Sequence, residues 1–248
     1  MVIFSDDFET DDFSKWTDVH TDGSGEAITQ STTKHHGTFA AKFTIIGGGC
    51  FALVNKVFAS SYTELYARAY VRISALPTSG KSIVAIELCG TGWADAILAL
   101  EFAYSGAPKW GVYYLKNGSY STKFSGSISV DTWYCVEIYV KVSATAGQIR
   151  VWIDGIEDTN LGDITFDNND KGDMQNLVFG GDYWIGDSYA VVLIGDCVVV
   201  DSAPIGTEAA GVTVKKGSNL SATMTEMLNS KMLFSIADRF PKLVPRRF

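Results

Sequence analysis

The sequence predicts an all-β fold: an antiparallel two-sheet β-sandwich over residues 1–206, followed by a helical C-terminal extension over residues 207–248. Three observations predict it. Short runs rich in β-branched and aromatic residues recur through residues 1–206, with turn residues between them. Several of these runs alternate apolar and polar residues with a period of two, the mark of a sheet with one face on a core. The composition points the same way, with 6 Trp, 11 Tyr, 14 Phe and 24 Gly against 5 Pro, because aromatic residues favour strands and glycines favour tight turns. At 46% hydrophobic and 19% charged, the chain lies outside the composition of disordered proteins.

Taken in order, residues 39–46 (FAAKFTII) follow a turn at His35, His36 and Gly37. Residues 64–73 (ELYARAYVRI) alternate, with Leu65, Ala67, Ala69 and Val71 on one face and Tyr66, Arg68, Tyr70 and Arg72 on the other. The segment PTSG, residues 77–80, breaks the chain. Residues 82–88 and 97–104 are the next two strands. Residues 110–115 and 120–124 flank Asn117 and Gly118, and Asn-Gly between strand runs is the strongest short-range hairpin signal. In residues 133–142, Tyr134, Val136, Ile138, Val140 and Val142 form an apolar face; Trp133, Cys135, Glu137, Tyr139 and Lys141 form the other. Residues 148–153 end at the turn pair Asp154 and Gly155, and residues 177–179 and 189–200 close the series. That makes ten to thirteen strands. No internal repeat is visible, which argues against a propeller or solenoid.

The tail has a different character. Ser218 and Asn219 suit a helix cap, and Leu220, Met224, Met227, Leu228 and Leu233 partly follow a helical stripe that Lys231 interrupts. Pro241 ends the pattern. Residues 1–206 carry 13 Lys/Arg and 25 Asp/Glu, net −12; residues 207–248 carry 7 and 3, net +4. An acidic body argues against a nucleic-acid partner. The tail reads either as a helix docked on the sandwich or as an arm building a homo-oligomer or larger assembly.

Apolar runs such as residues 190–194 fall far short of the ~18 residues of a membrane span. The opening MVIFSDDFE carries no basic segment and no long apolar stretch, so it does not read as a signal peptide. Either the protein is used without Sec export or the sequence starts at a mature N-terminus. Cys50, Cys89, Cys135 and Cys197 form no C-x-x-C pair. They read as buried free thiols or as two disulfides, with three pairings open.

Four stretches together resemble the concanavalin A-like lectin/glucanase superfamily, in particular its laminin-G-like modules. They are residues 4–9 (FSDDFE) with Trp16, residues 36–43 (HGTFAAKF), residues 131–142 with 148–155 (QIRVWIDG), and residues 194–201. The resemblance implies a curved antiparallel jelly roll and functions running from glycan binding and adhesion to glycoside hydrolysis and lyase chemistry. It also implies that the first and last strands lie side by side. That would gather Asp7, Glu9 and Asp201 as ligands of a structural Ca²⁺, which takes six to eight oxygens.

Glycoside hydrolysis needs two carboxylates across one sugar bond. The E-x-D-x-E strand of the superfamily's glucanases is missing, and Glu87, Glu101 and Glu137, on the less apolar faces of their strands, are the alternative carboxylates. Residues 114–120 (YLKNGSY) match a Y-x-K-x-G-x-Y motif of alginate lyases of this fold, although the Asn-Gly hairpin explains the segment by itself. His20, His35 and His36 belong to no G-x-S-x-G, H-E-x-x-H or P-loop arrangement. Trp93, Trp110, Tyr183 and Trp184 sit beside glycines in expected loops, where exposed aromatic platforms would bind glycans. The expected function is a non-catalytic glycan-binding or adhesive module, displayed on an extracellular or virion surface and assembled through its tail. The alternative is a glycoside hydrolase or polysaccharide lyase acting on the concave face.

Overall fold

Period-two alternation sets the architecture. A computed structural model describes residues 1–46, 50–78, 80–182 and 190–206 of the chain, within the unit Met1–Thr207. The expected tail helix and assembly arm lie outside the described residues.

Every described element is a strand: β1 (Val2–Asp6), β2 (Asp18–Asp22), β3 (Glu26–Gln30), β4 (Ala40–Ile46), β5 (Phe51–Tyr62), β6 (Glu64–Ile73), β7 (Ser82–Cys89), β8 (Ala96–Tyr104), β9 (Pro108–Lys116), β10 (Ser119–Ser125), β11 (Tyr134–Lys141), β12 (Gly147–Ile153), β13 (Ile156–Glu157), β14 (Asp163–Phe166), β15 (Met174–Asp182) and β16 (Ala190–Asp201). They form two antiparallel sheets. A nine-stranded sheet runs β13-β12-β11-β6-β16-β4-β3, with β1 added on β16 and β14 on β12. A seven-stranded sheet runs β10-β9-β8-β7-β15-β5-β2.

The core lies between the sheets. Leu65, Ala67, Ala69 and Val71 of β6 and Val136, Ile138 and Val140 of β11 are fully buried there, as their alternation predicts. One end of the core is aromatic. Trp16 and Phe8 stack at 6.3 Å, Trp16 lies 6.1 Å from Phe179, and Phe43 meets Phe179 edge-on at 5.7 Å. The Trp16 Nε1–H donates to Asp6 Oδ2 at 2.7 Å, while Phe8 N and Lys15 Nζ donate to Oδ1 at 3.0 and 2.9 Å. Asp6 is thus the first-strand acid that the core uses.

Strand β5 carries no clear strand pattern in the sequence, because Asn55 and Lys56 break its apolar run and Ser60 and Ser61 end it. β2 and β3 carry none either, because they are short and polar, as edge strands commonly are. All four cysteines are free.

Asp163 joins the sheets. It lies on β14 of one, and its Oδ2 accepts from Tyr114 Oη at 2.6 Å and Lys116 Nζ at 2.7 Å, both on β9 of the other. Burial by itself would raise the Asp163 carboxyl; the hydrogen bonds from Lys116 and Tyr114 outweigh it and hold the carboxyl down at about 2. A depressed carboxylate stabilises the fold fully above its ordinary range near ~4 and loses that contribution as pH falls towards 2. Asp163→Asn is therefore expected to cost about 1–3 kcal/mol at neutral pH. It should also flatten the acid limb of stability between pH 4 and about 2, read by urea denaturation of both proteins across that window. Parallel acid limbs would refute the assignment.

Candidate functional site: a cleft on the seven-stranded sheet

Strand pairing lays Tyr113, Ala99, Glu87, Val178 and Asn55 in one row across β9, β8, β7, β15 and β5. All face away from the core. Glu87 owes its place to a bulge. The β7–β8 register shifts between Val84 and Ile86, so Ala85 is the extra residue. The extra residue reverses the alternation. Ile83, Ile86 and Leu88 pack in the core, whereas Val84 and Glu87 line the cleft.

Glu101 faces Val84, two residues beyond the Ala99–Glu87 pair. The two glutamates are diagonal neighbours, a placement that separates backbones by about 7–8 Å. They are 7% and 8% exposed. Cys89 Sγ donates to Glu87 Oε1 at 3.0 Å, and burial beside that carboxylate raises the Cys89 thiol. Tyr113 and Tyr120 stack at 4.4 Å, 13° from parallel. Burial raises both phenols, and the Glu87 and Glu101 carboxylates push Tyr113 the same way.

The rim comes from the loop between β7 and β8. Gly90 N donates to Asp95 O at 2.9 Å and Asp95 N donates to Gly92 O at 3.0 Å. A side chain at Gly90 would put its Cβ 2.0 Å from Lys171 O, so glycine allows this loop to close on residue 171. Lys171 Nζ then binds Asp95 Oδ1 at 2.9 Å. Trp93 is half-buried in the same loop, stacked on His20 at 4.8 Å. A hollow of about 250 Å³ is bounded by Trp93, Glu87, Glu101, Tyr113, Tyr120 and Lys171. A second of about 310 Å³ continues past Phe124 and Tyr104 and shares Glu101 and Tyr113 with it.

Of the residues singled out from sequence, Glu87, Glu101 and Trp93 meet in this cleft. Glu137 does not: it lies on β11 of the other sheet, where its oxygens accept from Ile205 N at 3.0 Å and Gly206 N at 2.7 Å. Trp110 is not a platform either. It is 2% exposed and packs between Phe102 at 4.7 Å and Tyr134 at 5.2 Å, because alternation along β9 turns Trp110, Val112 and Tyr114 inward and Tyr113 outward. Tyr183 and Trp184 lie outside the described residues. Tyr113 and Lys171 carried no signal in the sequence analysis, and Tyr120 entered it only as the end of the lyase-like stretch; counting by two from Trp110 would have found Tyr113. In the lyase-like stretch, Tyr114 and Lys116 are held by Asp163, and only Tyr120 reaches the cleft.

Asp7, Glu9 and Asp201 are not brought together. β1 does pair with β16, but antiparallel, so Val2 faces Asp201 and Asp6 faces Val198. Four residue steps, about 13 Å, separate those two positions. Asp201 instead takes the Met1 amine at 2.8 Å, Asp7 takes Lys15 at 3.1 Å, and Glu9 Oε1 accepts from Thr38 N at 2.6 Å and Phe39 N at 2.9 Å.

No family model matches the chain, and no curated protein matches it. Solved structures do. An endo-β-1,4-glucuronan lyase from the fungus Trichoderma reesei superposes with a TM-score of 0.63 at 15% identity, over 82% of this chain and 96% of that one. The cellulose-induced protein Cip1 gives 0.62 at 17% identity, over 83% and 100%. The alginate lyase AlyC3 gives 0.50 at 12% identity, over 65% and 74%. At such identities the likeness concerns the fold alone: the chain shares with these structures an antiparallel two-sheet β-sandwich.

Proposed function

We propose that the protein is a carbohydrate-recognition module that binds a neutral polysaccharide along the outer face of the seven-stranded sheet. One observation carries the reading: the continuous cleft in which Trp93, Tyr113 and Tyr120 offer flat apolar faces beside Glu87 and Glu101. Sugar rings present C–H faces to aromatic rings and hydroxyl donors to carboxylates, and the cleft supplies both. The two carboxylates favour an uncharged chain, because a uronate would bring like charge against them. Of the two lysines among the described residues lining the cleft, Lys171 already binds Asp95, and Lys81 stands in the second hollow, away from Glu87. The fold's occurrence in a glucuronan lyase, in Cip1 and in an alginate lyase supports a carbohydrate role without choosing the sugar.

A second reading is cleavage of the bound chain. Glu87 and Glu101 favour it, since glycoside hydrolysis needs two carboxylates facing one sugar chain and both line this cleft. The raised Tyr113 and Tyr120 phenols are poor bases at neutral pH, which favours hydrolysis over elimination. In either reading the module is one displayed on an extracellular or virion surface and assembled through residues 207–248.

Calorimetric titration of the full chain with cello-, xylo- and manno-oligosaccharides, and with oligouronates, tests the reading. A neutral oligosaccharide is expected to bind best. Trp93→Ala should weaken it by about tenfold or more, the scale of an aromatic anchor lost from a pocket. New reducing ends would establish hydrolysis, and unsaturated uronate products would establish a lyase. Binding of uronates alone, or an unaltered affinity in Trp93→Ala, would remove the proposal.

A further inference from the structure

We propose that His36, Asp196 and Cys197 form a binding site for a borderline-soft divalent cation, zinc(II) by the chemistry of the donors. The site stands on the nine-stranded sheet and is independent of the cleft.

Strand β16 breaks its register with β6 between Asp196 and Val199. Within that bulge Cys197 adopts φ +47°, a left-handed conformation uncommon outside glycine. The bulge lets neighbouring residues act on one side of the strand. Asp196 faces Tyr70 on the sheet's outer side, and the Cys197 sulfur lies 3.4 Å from His36 Nδ1 on that same side. Val198 then returns to the core.

One ligand atom from each of His36, Asp196 and Cys197 falls within 4.8 Å of the others. Tetrahedral zinc, with bonds of about 2.0–2.3 Å, sets its donors roughly 3.3–3.8 Å apart. Closing on an ion thus takes about an ångström of side-chain motion.

A second observation points to the same place. Asp196 is fully buried, and its Oδ2 accepts from the backbone N–H groups of His35 and His36 at 2.9 and 2.8 Å. Its Oδ1 is buried without a hydrogen-bond partner. A buried carboxylate oxygen left unpaired is costly, and a cation beside it removes the deficit. The two imidazoles add to this. His35 Nδ1 and His36 Nδ1 are 2.8 Å apart, so a second imidazole stands beside the proposed ligand. His35 is stacked on Tyr70 at 4.1 Å, which fixes the ring beside the site.

The donor set decides the metal class. Thiolate, imidazole and carboxylate suit zinc, whereas calcium takes oxygens. Three protein donors leave a fourth position for water. On binding, the Cys197 thiol passes its proton to solvent, so affinity rises with pH.

The full-length chain, purified under reducing conditions and stripped with chelator, is titrated with Co²⁺ and then with Zn²⁺. A thiolate-to-cobalt charge-transfer band that Zn²⁺ abolishes at one equivalent is expected, with a rise in melting temperature on adding Zn²⁺ and none on adding Ca²⁺. Cys197→Ser should remove the band and weaken zinc at least tenfold while melting as the parent does in chelator. His36→Gln should weaken zinc similarly and gives a second variant should the first fail to fold. No charge-transfer band, stabilisation by Ca²⁺ in place of Zn²⁺, or parental zinc affinity in either folded variant would overturn the assignment.

Discussion

Gly195→Ala is expected to destabilise the sandwich by about 3 kcal/mol, the upper end of the cost of overpacking a core. A Cβ at this position would stand 2.0 Å from Phe179 Cζ and 2.4 Å from Cε1. Gly195 lies on β16 of the nine-stranded sheet and Phe179 on β15 of the other, so the contact is one between the two layers. The ring has nowhere to retreat. It is fully buried, with Phe8 at 6.2 Å, Trp16 at 6.1 Å and Phe43 at 5.7 Å. Phe179→Leu alone should also destabilise, through the void it leaves. Combined, the two changes should cost clearly less than their sum, because the smaller side chain makes room for the new methyl. A favourable coupling of about 1–2 kcal/mol is expected for residues in such contact. Urea denaturation of the four proteins measures it. Additive effects, or a Gly195→Ala change under about 0.5 kcal/mol, would show that the layers separate here without penalty.

The same glycine shows where sequence reading stops. In β16 it passes as one residue of a strand, and nothing local announces that an aromatic ring from the other sheet fills the space above it. Strand existence was legible because alternation is local: β6 appears at its full bounds, and the faces of β11 divide as the pattern says. Placement across the sheets was not. Glu87 reaches the cleft only because Ala85 is bulged, and a bulge leaves no mark in SIVAIEL. Trp110 and Tyr113 are equally plausible aromatic residues until the phase of β9 is fixed by its partners. The acid at the end of the last strand looked like a ligand for the first strand's acids, yet antiparallel pairing sends Asp201 to Met1. Asp196, five residues earlier, instead meets His35 and His36, about 160 positions away in the chain. Such meetings are set by register, which only the folded pairing determines.

Glu137 and Glu101, alike in sequence context, should separate completely on substitution. Glu137→Ala is expected to cost about 2–4 kcal/mol and to leave the cleft as it was. Its carboxylate is 6% exposed and holds two backbone donors at residues 205 and 206, while Arg68, directly across the β6–β11 pair, donates from Nη1 to Gly206 O at 2.7 Å. Without the carboxylate, two N–H groups lose their acceptor and a buried guanidinium loses a neighbouring charge, each a known route to large destabilisation. Glu101→Gln keeps the shape of a side chain whose charge faces the cleft. It should change stability by under about 1 kcal/mol and hold a neutral oligosaccharide within a few-fold of the parent. Any hydrolysis that the cleft performs should fall by about 10²–10⁴, the usual contribution of an acid or base group. Thermal melts and oligosaccharide titrations of both variants place each glutamate in its role. Were Glu137→Ala to lose the sugar and keep its melting point, the recognition surface would lie on the nine-stranded sheet, and Trp93 with its tyrosines would be packing and nothing more.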